Sequence, residues 1–207
     1  KRCKKLIKQF KTVDLSDLTE YKLAKLFVEQ FGEEFIYDGD YFYYYNGTLW
    51  KRDVGHKHLS HYLNEKFYEF CRNAYYDDDG IKNDEKLVIS KAIRGIQMAK
   101  KEKEIIKKLS PLIYQNVHFD SDWYIVQFNN KVLDLRTMKF EECSSKYLTS
   151  KSVGYDIEPR DQEKMKWFTE NVIERIFPNR NSKKTYLQFV STALSGQTLE
   201  KLLICRG

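Results

Sequence analysis

The sequence predicts an α+β fold, and three observations predict it. The pair Asn46-Gly47 lies between two β-prone runs in FIYDGDYFYYYNGTLWKRD, the strongest hairpin signal in the chain. Apolar residues recur at helical spacing in 17–31 and again in 161–176. From about Tyr114 the chain turns to extended, alternating stretches before helical ones return. The expected order is helices with a hairpin, then a β section, then two helices and a last strand. This gives three regions: a helical region with an aromatic β-hairpin at 1–113, a β-rich section at 114–160, and a helical lead-in with a terminal strand at 161–207.

Composition narrows the class. With 207 residues, 42% hydrophobic content and three prolines, the chain is long and apolar enough to bury a core. No apolar run reaches the length of a membrane span, and the basic start KRCKKLIKQFK lacks the apolar core of a signal peptide. Cys3, Cys71, Cys143 and Cys205 are scattered with no CxxC pair, which argues against a disulfide framework or zinc ribbon and fits reduced thiols in an intracellular protein. Asn46-Gly47-Thr48 matches a glycosylation sequon but, without a secretory route, reads as a turn. No fixed-period repeat is present, so solenoids drop out. The net charge of +6 is modest, but residues 1–11 carry six basic groups and no acid, and 82–108 carry nine against four. A polyanion partner is permitted rather than demanded.

The elements follow in order. Residues 17–31 form a helix with Leu23, Leu26, Phe27 and Phe31 on one face and Gly32 as its stop. A two-residue Asn-Gly turn would pair Tyr45 with Thr48, Tyr43 with Trp50 and Tyr41 with Arg52. One hairpin face then carries Tyr41, Tyr43, Tyr45, Trp50 and Arg52, the other Phe42, Tyr44, Leu49 and Lys51. A second helix covers 58–75 and closes in the polar loop Asp77-Asp78-Asp79-Gly80. Residues 84–109 read as one long helix or two short ones, with Gly95 marking a break and Pro111 lying beyond the end. WYIVQF, Asn129-Asn130 and KVLDLRT make a second hairpin, and KYLTSKSVGYDIEP continues extended. Asp161 caps a helix through Ile176 with inner face Met165, Phe168, Val172 and Ile176. A further helix runs from about Ser182 to Leu194, before the turn Ser195-Gly196 and the apolar strand KLLICRG.

Three pieces carry a resemblance to a known family: VQFNNKVLDLRT followed by YLTSKSVGYDIEP, then Leu194-Ser195-Gly196, then KLLICRG. In this order they resemble the segment preceding the motor in superfamily 3 primase-helicases of the poxvirus, large cytoplasmic DNA virus and phage type, over roughly 35–207. The chain departs at Asn130, where that family carries glycine; asparagine also tolerates a positive φ, so the turn is expected to survive. The resemblance implies that strand 201–205 opens an AAA+ ATPase core and that Gly207 is the first position of its phosphate loop. A lysine and a Ser/Thr are expected beyond it. It implies a parent protein that binds ATP with magnesium, forms a homo-hexamer and unwinds DNA with its motor. This part would hold or steer DNA and join the ring's collar, with no cofactor or ATPase activity of its own. Expected partners are single-stranded or forked DNA and other replication proteins, not a membrane; if the parent is viral, the place is the host cytoplasm.

The residues offer two surfaces for DNA. On the 84–109 helix, Arg94, Lys101 and Lys108 form a stripe opposite the apolar face, with Lys100 and Lys107 on a neighbouring one. Such a stripe suits phosphates and reads no base. The hairpin face with Tyr43, Trp50 and Arg52 suits stacking against unpaired bases, though it could equally pack on helices. His56, His58 and His61 lie within six residues but lack a further ligand, so no metal site is assigned. The Asp77–Asp79 run fails as a calcium loop because Tyr75 and Lys86 stand where acids are required. Ser195 has no base-like partner, and no catalytic residues are assigned. A rival from another class is a protein-interaction module of a replication complex that does not touch DNA.

Overall fold

The computed structural model describes residues 19–76, 90–91 and 93–194. They form two compact units, one running to Val117 without the hairpin tip Gly47–Leu49, the other comprising that tip and the residues from His118. The class is mixed α+β, with two antiparallel three-stranded sheets among the described residues.

In the first unit, helix α1 (Glu20–Phe31) starts where the Thr19 hydroxyl accepts the Lys22 amide at 3.4 Å. It buries Leu23, Ala24, Leu26 and Phe27, the i, i+3, i+4 set that the pattern predicts. Phe27 is fully buried, its ring 5.3 Å from Phe31, 5.6 Å from Phe35 and 5.5 Å from Phe67. These tilted and edge-on contacts make an aromatic centre for the core. Gly32 does not stop the helix through a left-handed turn. Its φ is −61°, and the chain tightens into a 3₁₀ turn over Gly32–Glu34. A Cβ there would meet the Val28 side chain at 3.0 Å, which explains the glycine better.

The first sheet runs β1 (Phe35–Tyr37), β2 (Phe42–Tyr45), β3 (Trp50–Arg52) in that order. The expected register is corrected by two residues: Tyr45 pairs with Trp50 and Tyr43 with Arg52, so the loop is the four residues 46–49. Leu49 leaves the ladder and is buried, while Gly47 supplies the positive φ of 96°. An even shift preserves the alternation, so Tyr43, Tyr45, Trp50 and Arg52 still share a face. Beyond the free edge of β1, the Tyr37 amide donates to Ile113 O at 3.1 Å and the Gln115 amide to Tyr37 O at 2.9 Å. After β3 the buried Asp53 carboxylate accepts the amides of His58 and Leu59, each at 2.9 Å, and so fixes the start of α2 (Lys57–His61). The helix continues through a π turn, Tyr62–Phe67, into α3 (Tyr68–Tyr76). The Tyr62 hydroxyl donates to Glu34 at 2.7 Å, and the Lys66 ammonium lies 3.7 Å from that ring's centre.

Residues 90–91 and 93–96 are helical, and the chain then breaks at Gln97-Met98 before α4 (Ala99–Leu109). Met98 is extended, with φ −85° and ψ 124°. Of the two readings left open by the sequence, two helices is the observed one, but the break falls at Gln97-Met98 and not at Gly95, which is still helical. The Lys101 side chain passes over buried Gly95, its Cδ only 2.8 Å from where a Cβ would stand. Helix α4 buries Ile105, Ile106 and Leu109 and packs on α1. Together with Leu59, Leu63, Cys71, Ile93 and Ile96 these complete one core.

In the second unit the sheet order is β4 (Ile125–Gln127), β5 (Lys131–Asp134), β6 (Lys139–Glu142). The Asn129-Asn130 hairpin is as expected, with Gln127 opposite Val132; β6 is a third strand that the sequence reading did not foresee. The turn does not rely on a positive φ at Asn130, which corrects the reason given for tolerating asparagine there. Instead its side chain donates to Ile157 O at 3.0 Å and accepts the Ile157 amide at 2.9 Å, as a strand partner would. The Asn129 amide adds a bond to Tyr155 O at 3.1 Å and the Val153 amide one to Gln127 O at 2.9 Å. Two asparagines thereby tie the extended segment to the hairpin.

Asp161 caps α5 (Gln162–Phe168), accepting the Lys164 amide at 3.0 Å. The helix passes through a second π turn, Thr169–Ile173, into α6 (Glu174–Ile176). Asn179 caps α7 (Arg180–Ser191), ahead of a 3₁₀ turn Thr192–Leu194. The inner face expected for the first of these is not buried: Met165, Phe168 and Ile176 are 44%, 47% and 62% exposed. Periodicity marked the stripe, but a stripe becomes a core only where another element covers it. The expected strand 201–205 and Gly207, the turn Ser195-Gly196 and the Asp77–Asp79 run lie outside the described residues. Among the described residues no helix is long and apolar enough to cross a membrane.

Two stability measurements test this account. Phe27→Ala empties the aromatic centre and is expected to cost about 3–5 kcal/mol in denaturant unfolding. Asn130→Gly installs the residue that the resembled family carries, yet it removes both bonds to Ile157. A loss of about 1 kcal/mol is expected, and an unchanged midpoint would show that the turn backbone alone holds the segment.

Candidate nucleic-acid interface

The basic surface is built on α4. Burial of Ile105, Ile106 and Leu109 fixes the helix's rotation, and about 100° per residue then turns Lys100, Lys103 and Lys107 to the opposite side. All three are exposed, as are Glu104 and Lys108 beside them. None of these five side chains forms an ion pair among the described residues. Glu102 is withdrawn from this surface, its carboxylate accepting the Asn64 amide at 3.2 Å. The exposed side thus shows four ammonium groups and one carboxylate.

The stripe expected from sequence is therefore redrawn. Lys101 is not on it: its ammonium lies 3.9 Å from the Glu20 carboxylate and its side chain is 23% exposed. Arg94 is exposed, but it stands on the preceding helical segment. The extended residue Met98 breaks the seven-residue spacing that aligned it with Lys101 and Lys108. Lys100, Lys107 and Lys108 remain, and Lys103 joins them. Counting every seventh residue missed Lys103; placing each residue by angle from the apolar run Ile105-Ile106-Leu109 would have found it.

The hairpin face is less open than its sequence suggests. Trp50 is 3% exposed, so its ring is not available to stack on a base, which corrects the stacking role expected for it. Tyr41 is 43% exposed, with the Arg52 guanidinium 3.2 Å from its ring centre. A planar guanidinium on a tyrosine keeps its N–H edge free to meet phosphate. Tyr43 is half-buried; burial first, and then a hydrogen bond to the Asp38 carboxylate, push its hydroxyl above the usual tyrosine range. Burial alone would raise Asp38. The amides of Tyr41 and Asp40, at 2.7 and 2.8 Å, together with the Tyr43 hydroxyl outweigh it and hold the carboxyl below its ordinary value. Asp38 stays ionised and braces the loop under Tyr41.

The three histidines are exposed, and each faces a different partner. His56 sits edge-on to Phe42 at 5.0 Å, His58 stacks on Tyr44 at 3.6 Å, and His61 faces Glu65 at 3.9 Å. Among the described residues no group of three His, Cys, Asp or Glu side chains is placed to hold a metal.

The second unit exposes aromatic rings that the sequence reading did not single out. Trp123, Tyr124, Phe140 and Tyr155 are 54%, 43%, 48% and 60% exposed. Phe128 links two of them, 6.1 Å from Phe140 and 5.6 Å from Tyr155. Arg136 lies 4.7 Å from the Tyr124 ring centre while its guanidinium donates to Asp122 at 2.6 Å. Burial would raise Asp122, but this bond and the Tyr124 amide hold its carboxyl below the ordinary range. Only Phe140 stands on a strand, β6; Trp123 and Tyr124 precede β4 and Tyr155 lies in the later extended segment, so strand alternation gave no signal for those three.

A comparison with curated protein sequences finds no match. A family model described as D5 N terminal like matches residues 24–193, which takes in most of α1, both sheets and α7. That span is most of the 207 residues and contains the α4 lysines, the hairpin face and the exposed rings of the second unit. The chain belongs to the D5 N-terminal-like family, the N-terminal domain of D5-type primase-helicases.

Proposed function

We propose that this domain holds and guides DNA for a replicative helicase-primase of superfamily 3, through the lysine face of α4. The observation that carries the reading is the set Lys100, Lys103, Lys107 and Lys108, exposed on one helix and free of ion pairs among the described residues. Ammonium groups on flexible stems meet phosphates without reading bases, so the contact is with the backbone and releases counterions. Arg52 on Tyr41 adds a second cationic point on the same unit. In this reading the substrate is single-stranded or forked DNA. ATP, magnesium and unwinding belong to the motor of the parent protein, which assembles as a hexamer. For a viral parent the setting is the host cytoplasm.

A second reading is favoured by a different observation. The exposed rings Trp123, Tyr124, Phe140 and Tyr155 sit among both acids and bases, with Glu142 and Asp122 beside Lys131 and Arg136. Aromatic surface with mixed charge suits docking of a replication protein better than it suits a polyanion.

Lys100→Glu/Lys107→Glu separates the two. Fluorescence anisotropy with a labelled oligothymidylate at low salt is expected to show affinity falling by about tenfold or more, with a shallower salt dependence. The unfolding midpoint is expected to stay put, because both side chains face solvent. Binding equal to that of the parent chain would remove the DNA reading and leave the docking one.

A further inference from the structure

Resting on the reading of α4 as a DNA-contacting face, we infer that Glu104 confines the phosphate track to Lys100, Lys103 and Lys107 and excludes Lys108 from it. By angle, Lys100 and Lys107 lie at the middle of the exposed side, roughly opposite Leu109. Lys103 flanks them on one side; Glu104 and then Lys108 flank them on the other. Lys100, Lys103 and Lys107 rise along the axis in steps of about 4.5 and 6 Å, a continuous row of ammonium groups about 10.5 Å long. Glu104 is exposed and stands four residues from both Lys100 and Lys108, the spacing at which side chains on a helix are neighbours. A phosphate that bridges from Lys100 or Lys103 toward Lys108 comes beside this carboxylate.

The asymmetry depends on which acids the fold removes. Glu102 is turned to Asn64 and does not face the row. Lys101 is turned to Glu20 and adds nothing to the Lys108 side. Glu104 is left as the one carboxylate that α4 itself exposes beside the lysines. The backbone is thereby steered to the Lys103 side of the helix, and one face is given a single register for one strand.

Salt titrations of the 207-residue chain with a labelled oligothymidylate test this. About 0.7 of slope is expected per lysine in contact, so about −2.1 for the row alone once contacts elsewhere are subtracted. Lys103→Gln is expected to lower affinity several-fold and reduce the slope by about 0.7. Lys108→Gln is expected to change affinity less than about twofold and leave the slope as it was. In a Glu104→Gln background Lys108 joins the track, so Lys108→Gln there is expected to behave as Lys103→Gln does. Lys108→Gln as costly as Lys103→Gln in the parent chain, or no coupling to Glu104→Gln, overturns the track while the DNA reading stands. Binding that ignores salt in every variant overturns the DNA reading, and the track with it.

Discussion

The packing of α4 on α1 is the constraint on which the rest of the first unit depends. Ile105, Ile106 and Leu109 must go inward, against a core whose centre is the ring of Phe27. Once that is settled a helix has no rotational freedom left, and every other side chain on α4 is placed by arithmetic. Lys100, Lys103 and Lys107 are outward because three aliphatic residues are inward. The basic surface is a by-product of core packing in geometry, whatever its role in function.

Two close approaches then shape that surface. Gly95 lets the Lys101 side chain cross the preceding helical segment and reach Glu20, so one lysine is spent on holding the two helices together. The extended residue Met98 ends one helical segment and sets the start of the next. Exposed ion pairs stabilise little; what the Lys101 contact changes is the pattern of charge left outside. Glu102, bound to Asn64, does the same for an acid. Neighbours of these two residues remain in solvent, and the charge of the face differs from the charge of the sequence that encodes it.

Asparagine does comparable work in the second unit. Asn130 stands where the resemblance led to an expectation of glycine, and its amide group satisfies both backbone groups of Ile157. Side-chain amides are well suited to this because they carry a donor and an acceptor at nearly the spacing of a peptide group. Glycine solves the turn with backbone freedom, whereas asparagine brings in a segment almost thirty residues away.

The sequence by itself determined the α+β class, the Asp161 helix start, the inner face of α1, and the aromatic alternation of the first hairpin. Each is a local rule: capping, 3.6-residue spacing or two-residue spacing is written in consecutive residues. It also marked the motif order that pointed to the family. The tertiary structure decided that Trp50 is buried, that the hairpin loop has four residues, that Lys101 leaves the basic stripe and Lys103 enters it, and that Met165, Phe168 and Ile176 lie exposed. A residue's spacing states which neighbours share its face; only the elements packed around that face settle whether it meets protein or water.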